Sequence, residues 1–406
     1  MSNRANSGET AKIQGPKGFV AGGLSAGIKA SGKFDLGAIF CDRPAVTAAV
    51  TTTNLFRAAP VLLCRERTAE SPRLRGVIVN SGVANACTGT QGLKDARAMT
   101  RSAEQAAGVG EGEFLVASTG VIGQFLPMEK IQEAAPRLMA TLSAEGWEDF
   151  AQAIMTTDLV MKISRRTLKL GRGAQATVLG IAKGSGMIHP NMATMLAFIV
   201  TDYALGPAQA RQMLRRVTDR SFNCLTVDHD TSTSDTLILM SSGAAMDRRG
   251  ADAGKDKKFE AALTEVAEEL ARTIARDGEG ATKLITVDVE GARDDAAARQ
   301  IAKSVASSSL VKTAMFGNDP NWGRICCAAG YAGVPFDVDD FTLKLQGKLI
   351  MKNGLPARFD REELKKALQG KDVAIGIKIG ASKGRARVWT CDLTYDYIRI
   401  NAEYTT

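Results

Sequence analysis

Thr194 stands where a loop broken by Gly184, Gly186 and Pro190 gives way to an apolar run that reaches Val200 and ends at Thr201-Asp202. Glycine and proline interrupt regular structure, and an apolar run of that length reads as a strand buried on both faces. A hydroxyl at such a junction is held from one side and approached from the other, which suits a nucleophile. The plainer reading is that threonine favours strands and bonds nearby backbone, so spacing alone does not decide. The chain has only two histidines, His189 and His229, and neither has the strand-elbow context of a Ser-His-Asp machine. A threonine nucleophile whose base is not histidine fits such a chain.

Other stretches offer groups that could serve it. Ser118-Thr119-Gly120 follows a predicted strand at 113–117. A threonine hydroxyl and a neighbouring glycine amide can both point at a developing alkoxide. Taken alone, Thr-Gly after a strand is an ordinary turn. Thr156-Thr157-Asp158 closes a predicted helix with polar groups suited to a ligand contact. Lys183 precedes Gly-Ser-Gly, and the loop is expected to hold its ammonium near Thr194, within reach of a substrate carboxylate. Glu279 lies between Gly278 and Gly280, where its backbone is free to approach other groups and where a plain helix cap is the alternative. Asp228, Asp230 and Asp235 invite a cation site, but Asx and Ser/Thr turns that pin a loop are the better account.

The composition narrows the function classes. A chain of 406 residues exceeds one ordinary core and is expected to form two or more lobes. Its 45% hydrophobic and 24% charged content are those of a soluble globular protein. No stretch approaches the ~18 consecutive apolar residues of a membrane span. The polar N-terminus lacks a signal peptide's apolar region, so a cytosolic protein is expected. A net charge of +8 raises nucleic acid as a partner, but the basic residues are scattered among acids and aromatics make up only 5%. That is too few for a base-stacking surface, whereas anionic metabolites suit the charge. The seven cysteines show no paired metal-ligand spacing and read as reduced, buried thiols.

The elements that must position these groups follow from periodicity. Short apolar runs at 18–24, 36–41, 46–53 and 60–64 read as antiparallel strands, and 74–80 as another. A helix at 93–107 precedes the strand leading to Thr119. Helices at 128–142 and 147–155 lead to Thr156, and strands at 161–170 and 176–182 lead to Lys183. Pro207 opens a helix reaching about residue 220. Phe259, Leu263, Val266, Leu270 and Ile274 form one apolar stripe on a helix at 257–277. A strand at 284–289 and a helix near 296–307 follow. Residues 316–324 read as a structured loop, and strands at 341–351, 373–379 and 386–394 flank a helix at 361–368. The end of the chain looks like a frayed tail, although Tyr395, Tyr397, Ile398 and Ile400 keep a strand-like pattern almost to it.

Lys-Gly-Ser-Gly-Met-Ile-His-Pro-Asn-Met-Ala-Thr-Met-Leu, fourteen contiguous residues from Lys183, closely resembles the self-cleavage segment of the ornithine acetyltransferases, also called bifunctional glutamate N-acetyltransferases. Asn-Ala-Cys-Thr-Gly after Val83, Ser-Thr-Gly at Thr119, the segment from Ser221 to Thr236 and Asp-Gly-Glu-Gly-Ala-Thr-Lys at Glu279 resemble further signatures of the family. The chain departs from them at Val83, at Cys224-Leu225, at Ser234 and at His229, where glycine would hold a positive φ more easily. The resemblance spans essentially the whole chain. It implies an α/β fold, a mixed α+β sandwich of the ornithine acetyltransferase and DmpA-like type. Its sheets would be shared between two self-cleaved fragments, 1–193 and 194–406, parted between Ala193 and Thr194. It assigns the oxyanion hole to Thr119 and Gly120, and substrate contacts to Thr156, Lys183, Thr194, Glu279 and, in the tail, Asn401 and Thr406.

The implied reaction is acetyl transfer from N-acetylornithine to glutamate through an acetyl-Thr194 intermediate, a ping-pong scheme in arginine biosynthesis. The amine freed at Thr194, with an ordinary pKa of about 8, would act as base for its own hydroxyl. The resemblance implies no cofactor and no metal, only small-molecule substrates, and a heterotetramer or larger assembly. Whether acetyl-CoA is a second acetyl donor is left open. Two competing readings are a self-processing aminopeptidase or amidase of similar architecture, in which water is the acceptor, and a catalytically silent assembly protein.

Overall fold

Leu196, Phe198 and Val200 face one side of a strand and Ala197 and Ile199 the other, and all five are buried. Apolar side chains on both faces require cover on both faces, and the fold is built around that demand. The computed structural model describes residues 12–171, 173–189, 195–246 and 253–403. Ala193, Thr194 and Thr406 therefore lie outside the described residues.

Among the described residues two sheets form. The first contains β1 (Phe19–Leu24), β2 (Leu36–Thr51), β3 (Arg73–Val83), β4 (Phe114–Val121), β5 (Lys162–Gly171), β6 (Ala174–Lys183), β7 (Leu196–Thr201) and β8 (Thr236–Ser241). Its order is β4-β3-β2-β8-β7-β6-β5, with β1 on β2, and only β3/β4 and β7/β8 run parallel. The second contains β9 (Leu284–Ala292), β10 (Thr342–Leu345), β11 (Lys348–Lys352), β12 (Leu355–Pro356), β13 (Asp372–Lys378) and β14 (Gly384–Cys391), in the order β12-β11-β10-β13-β9-β14. One face of the first sheet packs Phe19, Ile39 and Phe198 on the helix Trp147–Ile154. A continuous apolar core joins the other face, through the helices Pro207–Arg220 and Ala253–Arg276, to the second sheet.

This is the expected mixed α/β architecture. Strands before and after residue 194 share the first sheet, where β6 pairs with β7 and β2 with β8. The sharing stops there, because every strand of the second sheet follows residue 194.

Several expected elements differ. The run at 60–64 is a helix, Ala59–Glu70, because Pro60 occupies its first turn and Leu63, Cys64 and Arg67 continue a three-four spacing on its buried side. The runs at 36–41 and 46–53 belong to one strand, β2, whose register shifts between Phe40 and Ala45. Residues 316–324 hold only a short connection between two helices, Ser309–Phe316 and Trp322–Gly330. The thiols are free but not uniformly buried, since Cys87 and Cys327 are exposed.

The largest change is at the end of the chain, where Tyr395–Glu403 is a helix rather than a strand or a frayed tail. The Thr394 hydroxyl accepts from the Tyr397 amide at 3.3 Å and starts the helix, and Tyr395 and Ile398 are left exposed. The alternation that suggested a strand buries neither face.

Candidate active site

One cavity collects the groups that the sequence analysis singled out. Thr119, Gly120, Thr156, Lys183, Glu279 and Asn401 line it, together with Met195, the residue after Thr194. Neither His189 nor His229 is in its wall.

Parallel pairing of β3 with β4 sets Thr119 opposite Ser81 and Gly120 opposite Gly82. Gly120 has φ +131°, and a Cβ there would collide with the backbone of Gly82 and Val83. Only glycine fits this approach. The helix Trp147–Ile154 ends just before Thr156, whose amide donates to Asp158 Oδ2 at 3.0 Å. Asp158 Oδ1 accepts from the Gly184 amide at 2.7 Å and from Lys162 Nζ at 2.7 Å. Lys162 also donates to Asp277 Oδ2 at 2.6 Å, at the foot of the helix Ala253–Arg276. One ion network thus ties the floor of the cavity to three elements.

Lys183 ends β6 and is 7% exposed. Its ammonium donates to Thr156 Oγ1 at 2.7 Å and to Thr119 Oγ1 at 3.4 Å, with Asp158 Oδ2 at 3.9 Å. Burial pushes the Lys183 pKa down, and the carboxylates of Asp158 and Glu279 work against that. Burial alone would raise Asp158, but the ammonium groups of Lys183 and Lys162 outweigh it and hold the carboxyl at about 2.

Glu279 enters from the opposite side. Its amide donates to Ser185 O at 3.1 Å, and the Ser185 hydroxyl donates to Asp277 O at 2.6 Å. A Cβ on Gly186 would collide with the Glu279 carboxylate, so that glycine makes its seat. Asn401 Nδ2, on the C-terminal helix, donates to Glu279 Oε2 at 2.9 Å. The tail is therefore part of the wall.

Of the three aspartates, Asp228 acts as a loop pin. Asp228 accepts from the amides of Met187 at 2.6 Å, Ile188 at 2.8 Å and Asp230 at 3.2 Å, which fixes the chain just before His189. His229 adopts φ +72°, so the loop keeps a left-handed backbone there despite the missing glycine. Its ring lies edgewise on His189, with centroids 4.2 Å apart.

Sequence reasoning missed Lys162 and Asp277 as foundations and Asp235 as a lining group. Asp235 is buried in the cavity wall with Oδ2 unpartnered, and burial pushes its pKa well above the ordinary carboxyl range. The available signal was the density of Ser, Thr and Asp from 226 to 236.

A glycine at a strand end, threonine hydroxyls and a buried ammonium around one small cavity are the equipment of an acyl-transfer enzyme. The model of the ArgJ family matches residues 20–406. Arginine biosynthesis bifunctional protein ArgJ 1 of a Nostoc species is 47% identical over 407 residues, covering 98% of each chain. Arginine biosynthesis bifunctional protein ArgJ of Bacillus subtilis is 46% identical over 398 residues, covering 98% of this chain and 97% of its own. The crystal structure of the corresponding Bacillus halodurans protein is 41% identical and aligns over 51% of this chain and 98% of its own, with a TM-score of 0.49. The chain belongs to the ArgJ family, in agreement with the resemblance read from its motifs.

Proposed function

We propose that this protein is a glutamate N-acetyltransferase of arginine biosynthesis, moving acetyl from N-acetylornithine to glutamate. The observation that carries the reading is the meeting of Thr119, Gly120, Thr156, Lys183, Glu279 and Asn401 around one cavity beside Met195. In this reading the chain cuts itself between Ala193 and Thr194, and the freed amine is the base for the Thr194 hydroxyl. That hydroxyl takes the acetyl group, ornithine leaves, and glutamate receives the acetyl from the ester. Thr119 and Gly120 stabilise the oxyanion of both steps. Lys183 and Thr156 meet the substrate from one side, and Glu279, Asn401 and Thr406 from the other.

The relatives are named bifunctional, which supports a second activity, and in this reading acetyl-CoA is the second acetyl donor to glutamate. The pairing of β6 with β7 and of β2 with β8 supports fragments that stay joined after cleavage. The same reading carries a heterotetramer or larger assembly working in the cytosol. No helix among the described residues is long and apolar enough to cross a membrane.

The test is an assay with N-acetylornithine in the presence and absence of glutamate. The proposal expects N-acetylglutamate to form with glutamate and little acetate to appear without it. Rapid acetate release in both arms would make the protein a hydrolase.

A further inference from the structure

Lys183 touches two hydroxyls that the reaction needs, and the direction of those hydrogen bonds has a consequence for catalysis. An ammonium carries three donors and no acceptor, whereas a threonine hydroxyl has one proton and two lone pairs. Where Lys183 Nζ meets Thr156 Oγ1 at 2.7 Å and Thr119 Oγ1 at 3.4 Å, both oxygens must accept. The Thr119 proton cannot point back at the lysine. No other hydrogen bond engages the Thr119 hydroxyl among the described residues, and Thr119 lines the cavity. Its proton is left to point there.

We propose that Lys183 is a positioning residue of the oxyanion hole: by donating to Thr119 Oγ1 it commits the Thr119 O–H to donate into the cavity and strengthens that donor. The role is distinct from contact with a substrate carboxylate, for which the ammonium keeps a third donor. The geometry is built to hold it. Thr156 fixes the ammonium from the side, and Asp158 Oδ2 lies beneath at 3.9 Å. Asp158 is itself fixed by Lys162 and the Gly184 amide. Charge on a donor roughly doubles hydrogen-bond strength, and a donor polarised by a neighbouring cation gains in the same sense. Two cations face Lys183, and both are held elsewhere: Lys162 by two carboxylates and Lys29 by the carbonyls of Phe34 and Met155.

This inference rests on the acetyl-transfer reading, and the experiment separates the two. Lys183→Met and Thr119→Ala are made singly and together, and single-turnover acetylation is followed at saturating N-acetylornithine, counting only sites that become acetylated. Acting through Thr119, Lys183→Met slows the wild-type step at least about ten-fold but the Thr119→Ala step less than about three-fold. An equal factor in both backgrounds, or an effect on KM alone, overturns the proposal and leaves Lys183 a substrate contact. Lys183→Gln, which keeps an N–H donor, runs through the same cycle. If the Met variant does not fold, Lys183→Leu, which also lacks a donor, takes its place in the cycle under the same criterion, and Gln is expected to restore part of the rate only where Thr119 is present. A wild-type enzyme that never takes up acetyl sinks the acetyl-transfer reading itself. Normal wild-type acetylation without coupling sinks only the positioning role.

Discussion

Lys162 and Lys183 sit close together on neighbouring strands, Lys162 being paired with Ala182, and both are buried. Carboxylates bind Lys162 at 2.7 and 2.6 Å. Neutral hydroxyls bind Lys183 at 2.7 and 3.4 Å, and its nearest carboxylate oxygen stands 3.9 Å away. Burying a charge is tolerable only with compensation. At Lys162 the protein supplies all of it, and the residue can do nothing further. At Lys183 part is withheld, and the remainder is open to a ligand or a reacting atom. Full pairing marks a foundation, and incomplete pairing beside a cavity marks a working group.

The comparison can be broken most severely at the foundation. Lys162→Met leaves Asp277 without its cation and Asp158 with only Lys183, 3.9 Å away. Breaking a buried pair of this kind costs roughly 3–5 kcal/mol. Denaturant unfolding should show a loss of that size, and Lys183→Met should lose clearly less. Equal losses would mean that the two lysines are not different in kind.

A smaller effect is expected in the working layer. Thr119→Ala should lower turnover by about two orders of magnitude, the scale of one oxyanion donor. Its denaturation midpoint should stay near wild type, since among the described residues the Thr119 hydroxyl bonds only Lys183 and its backbone pairing in β4 is untouched. Steady-state kinetics beside a melting curve checks both halves. Unchanged turnover would remove Thr119 from the mechanism.

The smallest effect on turnover should come from the C-terminal lip. Deleting residues 401–406 removes the Asn401 donor from Glu279 but no fully buried side chain of the helix Tyr395–Glu403. KM should rise more than kcat falls, because such contacts serve ground state and transition state alike. Full activity of the truncated enzyme at low substrate would show that the lip is dispensable.

Much of the working layer was legible in the sequence, because each member sits in a short segment with glycine or threonine neighbours that mark a loop at an element's end. Thr119-Gly120, Lys183 before Gly184 and Glu279 between two glycines are of this kind. The foundation was not legible. Lys162 looks like a solvated charge, Asp158 and Asp277 read only as members of polar segments at helix ends, and only the packing of β5 under the end of the helix Ala253–Arg276 brings the three together. Secondary structure failed where a short apolar run allowed two periods. The run at 60–64 fits a strand by composition, but it belongs to a longer helical spacing that reaches Arg67. The C-terminal alternation misled because a single hydroxyl, that of Thr394, starts a helix there. Asn401, to which the resemblance assigns a substrate contact, lines the cavity and bonds Glu279.

The central claim is that acetyl passes through Thr194. Freshly purified protein mixed with N-acetylornithine alone, quenched in acid and digested, can be read by mass spectrometry. The account predicts a fragment whose first residue is Thr194 and which carries one acetyl group, held as an ester on that residue's hydroxyl while the digest is kept acidic. A chain still continuous through Ala193-Thr194, or acetyl carried on any other side chain, would contradict it.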